Sequence, residues 1–471
     1  MDAIDNSAGV DCSDHEVNIK ILLDAIVADG DLTEKQRNEL LAEMTDEVAE
    51  LVLRDNYEQT QAISTAVAQA APMVDVHERY LRSLELAGKL DRALEFLPDD
   101  ETLAERKAAG SGLTAPEFAI VLSYTKIALY DELLASDVPD ERAFAGELER
   151  YFPTALRERF PLQLTRHPLR REIVAAQLTN GLVNRAGTSF VFRLREETGA
   201  TGPDIVRAFA STREIFDLRG LWGEIEALDD QVAAQTQIAM FLKARVLFER
   251  TTRWLLRNRP RPLDVAATIS HFRPGADILA AALPNLLPAA AAVSAERAGN
   301  RLAEASVPTA MARRIAHLEA LVPALDLVEI ASAQGVGVEE AAEVYFALSD
   351  RLELHVLQER ISALPREERW GALARRALSE DLQSEQRALT ADVLRETAGD
   401  APAPDRVASW LARNAGPVDR YLQILAEAKA GGTFDLATLS VAVREIRNLI
   451  EASVATAQPV PAVDSEIPTA V

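Results

Sequence analysis

The stretch Glu16–Ala28, EVNIKILLDAIVA, sets how the rest of the chain is read. Val17, Ile21, Ala25 and Ala28 recur at helical spacing and define one face, which Ile19, Leu22, Leu23 and Ile26 widen until little polar surface remains. The segment predicts a deeply buried helix. Ser13 stands three residues before Glu16, a spacing at which a hydroxyl and a carboxylate satisfy each other's backbone donors at a helix start, and Gly30 follows as a stop. The polar run Asp5 to Ser13 then reads as a loop that delivers a hydroxyl to that start.

The same punctuation recurs further out. Thr33 with Gln36 opens a second helix, and Thr114 with Glu117 opens another, with Pro116 suited to its first turn. Breaks are expected at Pro72, at Gly110 to Gly112, at Pro260 to Pro262, at Pro274 with Gly275, and at Ala398 to Pro404. Alternating runs of strand type are hard to find, and no repeat of fixed period appears. Apolar residues make up 48% of the 471 residues and aromatics only 5%, an Ala/Leu balance that favours helices. A chain of this size supports two or three helical lobes. Residues 454–471 contain three prolines and no amphipathic face, and are expected to be a disordered tail.

The formal charge of -24 argues against nucleic acid as a partner, because a polyanion is bound through a basic surface. A lone cysteine, Cys12, excludes an internal disulfide and fits a reducing compartment, so a cytoplasmic location is expected. The acidic start MDAIDNSAGVD lacks the features of a signal peptide. The most apolar stretch, Ala276 to Val293, is interrupted by Pro284, Asn285 and Pro288, so no membrane span is expected.

Motifs for chemistry are sparse. His15, His77, His167, His271, His317 and His355 have no metal-ligand spacing, and no metal site is expected. Gly335-Val336-Gly337 lacks the third glycine of a dinucleotide fingerprint and precedes Glu339 and Glu340, which would repel a pyrophosphate. It reads as a turn into a helix with an acidic first turn. The arginines between Arg245 and Arg261 surround Trp254, and a second basic segment spans Arg157 to Arg171. In so acidic a chain both are expected to pair with neighbouring carboxylates. Ser13 has two readings at this point, a plain helix cap or a hydroxyl that grips a carboxylate together with helix-start N–H groups.

The segment DNSAGVDCSDHEVNIKILL resembles the loop near the end of the glutamate dehydrogenase catalytic core, Asn-x-Gly-Gly-Val-x-x-Ser-x-x-Glu, matched by Asn6, Gly9, Val10, Ser13 and Glu16, with Ala8 in place of the first glycine. VLRDNYEQTQAIS from Val52, PLRREIVAAQLTNGLVNRAGTSFVFRL from Pro168 and REIFDLRGLWGEIEALD from Arg213 are similar to the C-terminal region of the large, bacterial-type NAD-dependent enzymes. The resemblance extends to about Val441.

The resemblance implies that Ser13 binds the side-chain carboxylate of glutamate and that Asn6 lies near the nicotinamide of NAD. It implies residues 1–71 as the end of the catalytic domain and residues 72–453 as a helical C-terminal domain. The expected fold is therefore all-α, an irregular multi-helix array preceded by a short loop left over from an α/β core. The family reaction converts L-glutamate and NAD to 2-oxoglutarate, ammonia and NADH. Its catalytic lysine and aspartate and its nucleotide-binding sheet are expected upstream of Asp2, so these residues alone are expected to be inactive. The expected partners are the upstream catalytic portion and further copies in a homo-oligomer. The alternative is a non-catalytic helical scaffold or regulatory subunit.

Overall fold

Thr33 and Thr114 begin helices as their spacing predicts. The Thr33 hydroxyl accepts from the Gln36 backbone at 3.3 Å, and the Gln36 side chain accepts from the Thr33 N–H at 3.0 Å. Glu117 accepts from the Thr114 N–H at 2.7 Å and from its hydroxyl at 2.9 Å. The computed structural model describes residues 7–364, 369–397, 399, 401–432 and 434–457. Among them are 24 α-helices, short 3-10 turns and no strand. The chain is all-α.

The first helix departs from the expectation. It spans Ser7–Ala28, so Ser13 is an interior residue and caps nothing. The reason lies far away in sequence. The Ser7 hydroxyl donates to Asn56 at 2.7 Å and accepts from Gln59 at 3.1 Å, both on the Thr45–Ala68 helix, and this docking carries helical geometry back through the expected loop. The buried face also differs. Ile19, Leu22, Leu23 and Ile26 are buried with His15 and Asn18, whereas Val17, Ala25 and Ala28 are exposed. Two polar residues occupy the core side because each meets a partner there: His15 stacks on Tyr151, and Asn18 donates to the Tyr151 hydroxyl at 2.8 Å.

Pro274 and Gly275 do not break the chain. The Val265–Leu286 helix runs through both Pro274 and Pro284. A proline inside a helix removes one N–H and costs about 3 kcal/mol. Here the buried stripe Phe272, Ala276, Leu279 and Leu283 offsets that loss. Gly275 is needed for packing, since a Cβ there would lie 2.4 Å from Val328 Cγ2. The break falls later, before Pro288. No single helix among the described residues is long and apolar enough to cross a membrane; the bent pair Val265–Leu286 and Ala289–Glu304 passes that test only when joined. The breaks at Pro72, at 110–112 and at 260–262 hold; of the one expected at 398–404, residues 398 and 400 lie outside the described residues, and Pro404 stands in the first turn of the Ala403–Arg413 helix. Gly335, at φ +70°, ends one helix, and Val338–Arg351 follows with Glu339 and Glu340 in its first turn. Of the expected tail, residues 454–457 belong to the Leu436–Ala457 helix, and 458–471 lie outside the described residues.

The chain divides into two compact units, Met1–Arg273 with Gly299–Glu319, and Pro274–Ala298 with Ala320–Val471. At the centre of the first is Gly202–Ile215, buried on nearly every side. Its Phe209 lies among Phe190, Trp222 and Phe248, with ring centroids 5.6 to 6.4 Å apart. In the second, Arg369–Glu396 packs against Val338–Arg351 and Leu436–Ala457 around buried Leu389, Val393, Trp410 and Tyr421.

Candidate functional site

The first unit holds a cavity of about 260 Å³. Its walls come from separate helices. Ser7–Ala28 contributes His15, and Thr45–Ala68 contributes Arg54, Asp55 and Glu58. Ala145–Tyr151 adds Glu147, Arg150 and Tyr151, and Arg170–Ala186 adds Gly181 and Arg185. The central helix gives Arg213, and Leu218–Glu226 gives Arg219 and Trp222. All four stretches that carry the family resemblance thus reach this one cavity.

Its charges form two groups. On one side Arg54 and Arg185 share two carboxylates: Arg54 meets Glu226 at 2.6 Å and Glu58 at 2.8 Å, and Arg185 meets Glu226 at 2.7 Å and Glu58 at 2.8 Å. The Arg185 guanidinium also lies 4.9 Å from the centre of the Trp222 ring. Burial alone would raise the Glu58 carboxyl, but Arg185 and Arg54 overcome it and hold the group below its usual range. This side is neutralised.

The other side is not. Glu147 alone receives Arg150, Arg213 and Arg219, each at 2.8 Å. Glu214, half-exposed, adds a further carboxylate to Arg213 at 2.8 Å and to Arg219 at 3.5 Å, which still leaves three arginines on two acids. Burial pushes Glu147 up, yet Arg213, then Arg219 and Arg150, bring its pKa down to about 2. Burial and the adjacent Arg213 push Arg219 below the usual arginine range. Counting side chains that line the cavity, five arginines face the carboxylates of Asp55, Glu58 and Glu147.

Asp55 sits in a third environment. Burial, then the carboxylates of Asp11 and Glu58, raise its pKa to about 7. Lys126 is pushed down to about 8 by burial, against the pull of Asp55 and Asp11. Overhead, His15 is 3% exposed and stacks on Tyr151 with ring centroids 4.4 Å apart, while its Nδ1 has no hydrogen-bond partner. The Tyr151 hydroxyl donates to Asp14 at 2.7 Å. Burial lowers the His15 pKa, so the ring is neutral at pH 7.

Ser13 is exposed on the first helix, and Asn6 lies outside the described residues. His15, by contrast, reaches the cavity, as do arginines that belong to neither basic run. No local signal could have found them, because they come from helices scattered from Ser7 to Glu226. The basic runs behave as structural charge. Arg245 pairs with Glu249 at 2.9 Å, Arg253 with Glu197 at 2.7 Å, and both Arg170 and Arg171 with Asp140. His77 and His167 are buried; the first packs on Phe118, and the second lies 3.0 Å from the Asn18 carbonyl. Among the described residues no group of three or more His, Cys, Asp or Glu side chains could hold a metal. The described residues contain no strand and hence no βα turn of the kind that cradles a pyrophosphate.

Comparison with known proteins gives these segments a setting. A family profile described as "Glutamate dehydrogenase, C-terminal" matches residues 110–448, and one described as "Bacterial NAD-glutamate dehydrogenase, catalytic domain" matches residues 1–66. The chain is 42% identical over 452 residues to the NAD-specific glutamate dehydrogenase of Pseudomonas aeruginosa. It is 41% identical to that of Halomonas elongata and 40% to that of Mycobacterium tuberculosis. Each match covers 96% of this chain and 28% of the relative, so the chain spans a little over a quarter of the length of these proteins.

Proposed function

The chain belongs to the bacterial NAD-specific glutamate dehydrogenases, and from that premise we propose that it acts as the C-terminal portion of such an enzyme. The reaction is oxidation of L-glutamate to 2-oxoglutarate and ammonia with hydride passing to NAD. The observation that carries this reading is the family match across residues 110–448, which takes in most of an all-helical structure. In this reading residues 1–71 complete a catalytic domain, and residues 72–453 form a helical domain for assembly or regulation. Exposed Leu86, Leu94 and Phe96 would supply apolar surface for contacts between copies. The lone Cys12 and the acidic composition support a cytoplasmic enzyme.

Within that enzyme Ser13 contributes a hydroxyl to the glutamate side-chain carboxylate, and Asn6 lies near the nicotinamide. The exposure of Ser13 supports the first role, because its hydroxyl is open to a ligand. Its interior position in the helix leaves the hydroxyl alone, without helix-start N–H groups, to do this. Loss of one hydrogen bond to a charged group is worth about 1.5–3 kcal/mol. In a full-length relative carrying this segment, Ser13→Ala is therefore expected to raise the KM for glutamate about tenfold or more, with helix content and the KM for NAD unchanged. An unchanged glutamate KM would reduce Ser13 to a surface residue.

A further inference from the structure

We propose that the cavity of the first unit binds a small oxyanion, carboxylate or phosphate, through the guanidinium groups in excess around Glu147 and the unpartnered Nδ1 of His15. Three observations carry it, each independent of the family reading. The first is stoichiometry: Arg150, Arg213 and Arg219 converge on the Glu147 carboxylate, each at 2.8 Å, and the half-exposed Glu214 supplies the one further carboxylate, so three guanidinium groups share two acids. Arg213 is buried while Arg150 and Arg219 stay half-exposed, so the excess positive charge is open to an incoming anion, and guanidinium forks match the geometry of carboxylate and phosphate.

The second is space. The three guanidinium groups border a cavity of about 260 Å³, with volume for a small molecule rather than for one water alone. Gly181 keeps it open on the side of Arg213, since a Cβ there would lie 3.8 Å from Arg213 Nη1 and any longer side chain would extend further into that space. The third is His15. A side chain 97% withdrawn from solvent normally satisfies its polar atoms, yet its Nδ1 finds no protein partner while the ring lines the cavity. A neutral imidazole N–H is a donor of the kind an oxyanion accepts.

The cavity also joins His15 and Arg54, from the segment similar to the catalytic domain, with Arg213 and Arg219 of the helical region. An anion held there would brace one segment against the other. That consequence rests on the glutamate dehydrogenase reading; the binding itself does not.

The test is titration calorimetry of the 471-residue chain with inorganic phosphate and, separately, with succinate, using acetate as the single-charge control. Saturable binding with one site and a Kd below about 1 mM is expected for phosphate or succinate. Which of the two binds more tightly identifies the source of the oxyanion. Arg219→Gln, at a half-exposed position, is expected to weaken binding about tenfold or more. Gly181→Met, which fills the space and leaves every charge in place, is expected to abolish it. Absence of saturable binding of both anions, or binding unaffected by either variant in a folded protein, overturns the proposal.

Discussion

The two compact units bury polar groups in different ways. In the second unit the Asp392 carboxylate is closed on itself by protein: Trp410 donates to it at 3.1 Å, and Ser453 and Arg395 complete it. Trp410 and Tyr421 are fully buried, and the Tyr421 hydroxyl donates to the Leu352 carbonyl at 2.7 Å. In the first unit one carboxylate, Glu147, serves three arginines and borders open space. The contrast separates polar burial that fixes a fold from polar burial that is left incomplete. The second kind marks where a ligand has work to do.

The largest effect that bears on this contrast should come from Glu147→Ala. Removing one partner of a buried ion cluster costs about 3–5 kcal/mol, because the charges left behind stay buried. Chemical unfolding monitored by circular dichroism should show this loss, and a cost under about 1 kcal/mol would mean that solvent already screens the cluster. The pH dependence has a fixed sign. The folded pKa of Glu147, about 2, lies below the ordinary 4.5, so its contribution is present above pH 4.5 and is lost as pH falls towards 2. Glu147→Gln should lack that acid-dependent loss.

In the second unit Trp410→Phe keeps an aromatic ring but deletes the N–H that serves Asp392. A cost of about 1–3 kcal/mol is expected, with no change in anion binding at the first unit. A drop in that binding would break the division between the two kinds of burial.

The smallest effect sharpens the comparison by changing sign. Asp55 has a folded pKa of about 7 against an ordinary 3.8, so its protonated form is favoured in the native state. Its contribution is intact below pH 3.8 and is lost as pH rises through about 7. Asp55→Asn, permanently neutral, should therefore gain stability over the parent as pH rises, by about 1 kcal/mol at pH 8 after allowance for Lys126. Melting temperatures at pH 5 and pH 8 measure it, and an equal difference at both would remove Asp55 from the account.

Much of the helical architecture was legible in the residues because its signals are local. Thr33 with Gln36 and Thr114 with Glu117 carry their own hydrogen bonds, and Gly335 needs only its positive φ to end a helix. Distant contacts override local pattern at a few places. Ser13 and Glu16 have cap spacing, but the anchoring of Ser7 by Asn56 and Gln59 moved the helix start back. Val17, Ala25 and Ala28 looked like the core face, yet Tyr151 drew His15 and Asn18 inward instead. Pro274 failed as a breaker because a buried stripe continues on both sides of it. The cavity was invisible for the same reason: Arg54, Arg150, Arg185, Arg213 and Arg219 stand on five different helices, and no run or spacing links them.

The central claim is that this chain works as the C-terminal portion of an NAD-specific glutamate dehydrogenase. The most direct test mixes it with a separately produced polypeptide that carries the catalytic sheet of a relative and follows NADH absorbance on adding L-glutamate. The account predicts no NAD reduction by these 471 residues alone and glutamate-dependent reduction by the mixture. Turnover of glutamate by the isolated chain would contradict it.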